Sequence, residues 1–390
     1  MTTHRFTAIP LTPIHVGDGS LLAPEDYLLD KGDVARFVPE RVVADMRPAE
    51  RQRFLAALDA GRLGEAQAIL RRAVDPDRHV VERIALAGRA REKLAAVFEN
   101  PLQRGEIRPF VRTAGRPYLP GSSLKGALRT ALLDHFATRR QPAVAGALSE
   151  AAGRERRPGE TDRRADALVQ AAFDLGSKGP DGDPLRFVTV ADALLPPGRT
   201  RIDLVENWKP APRRAGAGPR ASIPMQVERL LSRADGQTLS FDVRIGVDPE
   251  AARAAQALDR GKAPADAVTI DTLMQAVNHF AWRRFGEELE AFFAGEPATR
   301  ALLEEAFRIP AGKQTWSLAL VRQHPSCMLL RVGRFTQFES KSVDRFREGW
   351  NPQARRPIKG HGATRNVIVL ATRQGEARVP LGWLLLVRRS

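Results

Sequence analysis

The sequence predicts an α+β fold in two successive units, residues 1–248 and 249–390, with a helical insertion over about 48–100 and a basic hairpin loop over about 209–222. Three observations lead there. A chain of 390 residues exceeds one ordinary domain of roughly 100–200 residues, so it holds two or three cores. Alternating segments such as Thr238–Gly246 stand beside segments with apolar residues every three to four positions, such as Asp271–Phe293, so strands and helices are both encoded. That mixture occurs on either side of residue 250, in the manner of a diverged duplication.

The elements follow in order. Arg5–Leu11 alternates as an opening strand and runs into the loop Thr12-Pro13-Ile14-His15-Val16-Gly17-Asp18-Gly19-Ser20. From Pro48 to about Asn100, Phe54, Leu55, Leu58, Ala66, Ile69, Leu70, Ile84, Leu86, Leu94, Val97 and Phe98 recur at helical spacing, which predicts an insertion that is helical throughout. Arg108–Tyr118 alternates again. Leu119-Pro120-Gly121-Ser122-Ser123 then opens a helix from Leu124 to about Phe136, the serines supplying N-cap hydroxyls. A surface helix is expected near Asp162–Phe173. Phe187–Asp192, Arg201–Trp208, Ile223–Leu231 and Thr238–Gly246 read as four strands of one sheet. Helices are expected at Pro249–Leu258, Asp271–Phe293 and Pro297–Phe307, then a strand at Cys327–Gly333 and a closing hairpin, Val367–Ala371 with Val379–Val387, turning at Gln374-Gly375.

Composition narrows the function. With 61 Lys+Arg against 46 Asp+Glu the net charge is +15, the footprint of a protein that meets phosphates, so nucleic acid is the leading partner. Nine of the 61 are Lys, and Arg offers the planar fork that grips phosphate oxygens. The basic stretch Lys209–Ser222, with Arg213 and Arg214, has almost nothing to bury; it reads either as a surface linker or as a finger on nucleic acid. The longest apolar run, near Leu381–Val387, falls far short of the roughly 20 residues of a bilayer span, and no apolar leader follows Met1, so a cytoplasmic protein is expected. Cys327 is the only cysteine, which excludes an intrachain disulfide and a multi-thiolate metal site. The seven histidines show no HxxxH or HExxH spacing, so neither a metal nor another cofactor is expected.

The most informative segment is Tyr118-Leu119-Pro120-Gly121-Ser122-Ser123-Leu124-Lys125-Gly126-Ala127-Leu128-Arg129. A glycine turn, two hydroxyls and free amides at a helix start can hold anionic oxygens, and Lys125 with Arg129, four apart, can reach consecutive phosphates. The spacing excludes a Walker A loop. Equally, the same residues describe an ordinary capped helix. In the second unit, Gly333, Arg334 and Lys341 make a glycine-plus-basic loop for RNA or a neighbouring subunit, and Phe335 and Phe338 are candidates for stacking or for the core.

This segment, the Thr12–Gly19 loop, Phe187–Asp192 and the closing glycine elements resemble, in order along the chain, the CRISPR-associated RAMP superfamily. Length, the opening loop, Leu330-Arg331-Val332-Gly333 and Pro380-Leu381-Gly382-Trp383 look most like the subunit that caps the crRNA 3′ side in type III-A Csm effector complexes. The helical and basic insertions are not covered by the likeness. The resemblance implies RRM-like (ferredoxin-like, βαββαβ) domains, the second degenerate, and a non-catalytic RNA-binding and assembly subunit needed for crRNA maturation and antiviral interference. Its implied partners are crRNA, complementary target RNA and other backbone RAMP subunits, with host trimming nucleases as further candidates. Carried over by position, Gly121, Ser122, Ser123, Lys125, Gly126 and Arg129 would grip the crRNA backbone, with His15 and Gly17 beside them. No aromatic RNP1 run is present, so recognition by phosphate and shape is expected. Two alternatives stay open: a metal-independent endoribonuclease using His15 as general acid or base, and a protein-interaction module recruiting a separate trimming nuclease.

Overall fold

The computed structural model describes residues 1–99, 105–152, 163–210, 220–221, 224–312, 314–347, 349–351, 356–358 and 360–389. In chain order it forms β1 (Thr2–Pro10), β2 (Tyr27–Asp30), β3 (Asp33–Phe37), α1 (Pro39–Asp45), α2 (Pro48–Asp59), α3 (Leu63–Ala73), β4 (Val80–Leu86) and α4 (Gly88–Glu99). Short strands β5 (Ile107–Arg108), β6 (Arg112–Thr113) and β7 (Arg116–Leu119) lead into α5 (Gly121–Arg139), α6 (Gln141–Ala152) and α7 (Arg163–Phe173). Next come β8 (Val188–Val190), β9 (Ala193–Leu194), β10 (Thr200–Lys209), β11 (Arg220–Ala221), β12 (Met225–Leu230) and β13 (Phe241–Val247), then α8 (Pro249–Leu258), α9 (Ile270–Phe292) and α10 (Pro297–Ala306). The chain continues through β14 (Ile309–Ala311), β15 (Gln314–Trp316), α11 (Leu318–Gln323), β16 (Cys327–Arg331), β17 (Gly349–Asn351), β18 (Arg356–Ile358), β19 (Arg365–Thr372), β20 (Gly375–Pro380) and β21 (Trp383–Arg388).

Two sheets organise these elements. The first has the order β16-β21-β1-β13-β8, all antiparallel, so its strands come from both sides of residue 248. Its alternation is regular: Phe6, Ala8, Val243, Ile245, Leu384, Leu386, Met328 and Leu330 share one core with Leu124, Leu128 and Leu132 of α5 and Leu273, Val277 and Phe280 of α9. Each of these side chains other than Ala8, fully buried, contributes about 1.5–3 kcal/mol. Helix α9 also runs along the free edge of β16, where the Asn278 carboxamide donates to the Cys327 carbonyl at 2.8 Å and accepts from the Leu329 amide at 3.0 Å. One side chain thus supplies the donor and acceptor that a neighbouring strand would have provided and closes an exposed edge.

The second sheet follows β2-β3-β4-β10-β12-β5, with β11 and the β19–β20 hairpin joined at β10. Here the sequence reading needs correction. Val80–Leu86 is a strand inside the expected helical insertion: Ile84 and Leu86 point inward at a period of two, and β4 pairs antiparallel with β3 and parallel with β10. Two apart, Ile84 and Leu86 share one face of a strand but would lie about 200° apart on a helix, and the pairing with β3 and β10 follows the strand pattern. The four central strands do not share one sheet, since β8 and β13 lie in the first and β10 and β12 in the second. The closing hairpin also divides at Leu381-Gly382, leaving β20 on β19 and passing β21 between β16 and β1. Among the described residues no helix is long and apolar enough to cross a membrane.

Candidate functional site

Helix α5 begins at Gly121, earlier than the serines indicate, so Ser122 and Ser123 lie within its first turn; Pro120 is the N-cap, without a side-chain cap bond. The free amide at the start is satisfied from a distance: Gly121 N–H donates to Asp192 Oδ1 at 2.7 Å. A methyl group at Gly121 would sit 2.2 Å from the Val190 carbonyl oxygen, which is why the helix can lie this close to β8. At about 100° per residue, α5 divides into three faces. Leu124, Leu128, Ala131 and Leu132 are buried. Ser123, Gly126 and Thr130 line an open cleft of about 410 Å³. Ser122, Lys125 and Arg129 fall on the opposite flank, where Arg129 is ion-paired with Asp183 and its guanidinium lies 5.0 Å above the Phe173 ring. Lys125 is half-buried, with no ion pair among the described residues.

The facing wall of the cleft comes from two loops distant in sequence. Gly17, from the opening loop, meets Gly333, Arg334 and Lys341, which follow β16. The loops are locked together: the Arg334 amide donates to the His15 carbonyl at 2.9 Å, and Gly333 adopts φ 101° beside it. Arg331 and Ser340 form the floor. Three cationic residues and no acidic residue line the cleft among those described. Lys341 is held below the ordinary lysine pKa by burial first, then by the charges of Arg334 and Arg331, so these cations repel one another.

His15 lies beneath this surface rather than on it. It is 2% exposed, between the rings of Phe110 and Phe335 at 6.2 and 5.6 Å. Its Nδ1 lies 2.6 Å from the Glu228 carbonyl oxygen, which can only accept, so Nδ1 carries a proton and donates it. The Glu228 carboxylate in turn accepts from the Phe110 amide at 2.8 Å and from Arg112 at 2.7 and 2.8 Å, which fixes the strand that covers His15. Burial depresses the His15 pKa to about 4, against the Glu228 carbonyl bond and with help from Arg334 and Arg108. Phe335 is core, in line with one of its two readings. Arg213 and Arg214 lie outside the described residues.

The His15 environment gives a stability prediction. Its folded-state pKa lies below the ordinary 6.5, so the contribution of the neutral ring is complete above pH 6.5 and is lost as pH falls toward 4, by about 3 kcal/mol in all. Urea melts at pH 7 and pH 4.5 should show that decline, and His15→Asn, which keeps a donor near Nδ1, should flatten it. An equal decline in the variant would assign the effect to other groups.

Sequence reasoning missed Arg331, Ser340 and the capping role of Asp192. A charged residue ending the apolar run Cys327-Met328-Leu329-Leu330 was a readable signal for Arg331. Nothing local marked Ser340. Among the described residues no group of three or more His, Cys, Asp or Glu is placed to hold a metal ion.

A family model described as the RAMP superfamily matches residues 7–216. The chain is 26% identical over 205 residues to the "CRISPR system Cms protein Csm5" of Methanocaldococcus jannaschii, covering 51% of this chain and 44% of that protein. It is 30% identical over 141 residues to the protein of the same name from Streptococcus thermophilus, covering 34% of this chain and 38% of that one. The matched segments therefore span less than half the length of either relative. In structure, 99% of the chain matches 100% of a chain from the cryo-EM structure of a Csm-crRNA-target RNA ternary complex of a type III-A CRISPR-Cas system, with TM-score 0.65 and 21% identity. A crystal structure of T. onnurineus Csm5 matches over 97% of this chain and 99% of that one, with TM-score 0.56 and 21% identity.

Proposed function

The chain belongs to the RAMP superfamily, and from that premise we propose that it is a non-catalytic subunit of a type III-A CRISPR effector complex that holds RNA in the cleft between α5 and the loop after β16. The carrying observation is the cleft itself: Gly17, Ser123, Gly126, Gly333, Arg334 and Lys341, drawn from three distant segments, converge on one open surface with cations and no acids. Such a surface binds a sugar-phosphate backbone without reading its bases, and leaves sequence specificity to pairing by the guide.

The finer parts of the proposal are that the RNA is the 3′ portion of crRNA paired with its target and that the subunit ends a stack of related backbone subunits. Full-length similarity in fold to a chain from a Csm-crRNA-target RNA complex supports that placement. In the same proposal residues 1–248 and 249–390 are two RRM-like units, joined where β1 pairs with β21. The burial and neutral state of His15 favour a positioning role over general acid–base cleavage, because a group 2% exposed cannot reach a scissile phosphate.

A gel-shift series with repeat-spacer RNA across salt concentrations tests the proposal. Arg334→Ala with Lys341→Ala should weaken binding and reduce the slope of log affinity against log salt by about two. An unchanged slope would remove the cleft from the RNA path, and absence of any shift by the parent protein would favour the protein-interaction reading.

A further inference from the structure

Orphaned polar atoms cluster in the loop that floors the cleft. Between Arg331 and Ser340 four side-chain atoms are buried without a hydrogen-bond partner among the described residues: Arg331 Nη2, Gln337 Nε2, Glu339 Oε2 and Ser340 Oγ. Buried polar groups are nearly always satisfied, and each orphan ordinarily costs about 1–3 kcal/mol. Gln337 adds strain, holding φ 65° in a residue other than glycine. A loop that carries both costs is shaped for something other than its own stability.

Two of the orphans belong to residues that line the cleft. Arg331 and Ser340 are 8% and 7% exposed, and both line the open cleft as well as a water-sized void of about 10 Å³ beneath it. Arg331 is held in place from behind, by Glu288 at 2.8 Å and the Leu381 carbonyl at 3.1 Å, so Nη2 is the part left over. The Ser340 hydroxyl needs only a rotamer change to turn between void and cleft. At the rim stand Arg334, with no side-chain partner among the described residues, and Lys341.

We infer that Arg331 Nη2 and Ser340 Oγ form a seat for a single internucleotide phosphate of the bound RNA, closed over by Arg334 and Lys341. The seat rests on the RNA-holding role proposed for the cleft and adds a fixed point to it: two donors at the floor take one phosphate's oxygens while the rim cations neutralise it. One phosphate is thereby set in register against the protein, which a surface of exposed cations alone would not do.

Ser340 gives a test whose sign separates binding from structure. If the hydroxyl serves the ligand, Ser340→Ala removes an orphan, so its melting temperature should equal or exceed that of the parent while RNA affinity falls about five- to tenfold. Ser340→Asp places a carboxylate among three cations and should keep the fold while abolishing binding. Parent affinity in Ser340→Ala, or a lowered melting temperature in that variant, would overturn the seat while leaving RNA binding by the cleft intact. A parent protein that binds no RNA at any salt concentration would overturn both.

Discussion

Gly333→Ala is expected to destabilise the protein by about 3 kcal/mol or more and to abolish RNA binding in the cleft. Two costs add. The backbone at 333 sits at φ 101°, where an L-residue carries about 1–3 kcal/mol of strain. The new methyl would also lie 2.4 Å from the His15 carbonyl oxygen and 3.3 Å from its carbon, both main-chain atoms that cannot swing aside. Relief requires that the Arg334 amide leave the His15 carbonyl, which separates the two loops that form the facing wall. Gly126→Ala is the contrasting control. Nothing lies within 4 Å of its added methyl, and alanine within a helix is favoured over glycine by about 1 kcal/mol, so that variant should be as stable as the parent or more so. Thermal melts on both variants check the pair; equal stability for Gly333→Ala would mean that the loops are not locked as described.

That contrast shows what the sequence could and could not disclose. Gly126 and Gly333 look alike in one dimension, each a glycine beside basic residues, and only the approach of His15 from a segment more than 300 residues away distinguishes them. Elements with their own strong periodicity were legible: α8, α9 and α10 fall within a residue or so of their expected limits, because apolar spacing agrees with a start signal at each, the Asp248 and Thr269 caps and Pro297 in the first turn. Val80–Leu86 was misread because its partners, β3 and β10, are invisible to a local window. The candidate site divides in the same way. Ser123, Gly126, Gly333, Arg334 and Lys341 were named in advance and do meet in the cleft, yet Lys125 and Arg129 face away from it. Spacing on a helix fixes which residues share a stripe, whereas the packing of that helix decides which stripe faces the cleft.

The other large effect is expected at Glu288, where Glu288→Ala should cost about 3–5 kcal/mol, as much as a large core truncation. This carboxylate is 3% exposed and holds two buried cations at once: Arg331 at 2.8 Å and Arg365 at 3.0 Å, while its other oxygen accepts from the Trp383 indole at 3.1 Å. Arg365 is shared with Glu339 at 3.0 Å, and its guanidinium lies 3.5 Å above the Phe292 ring. Removal of Glu288 leaves two buried guanidinium groups with one carboxylate between them, and desolvated charge is then uncompensated. Glu288→Gln keeps the volume and an acceptor for Trp383, so it should lose less. Adding Arg331→Met to Glu288→Ala removes the stranded cation as well, and the double variant should be more stable than the sum of the single losses predicts, by roughly 0.5–3 kcal/mol. Strict additivity, or a loss below about 1 kcal/mol for Glu288→Ala, would show that solvent already screens the cluster. The functional consequence follows from position: Glu288 on α9 aims Arg331 at the floor of the cleft, so Glu288→Gln should weaken RNA binding without touching the RNA.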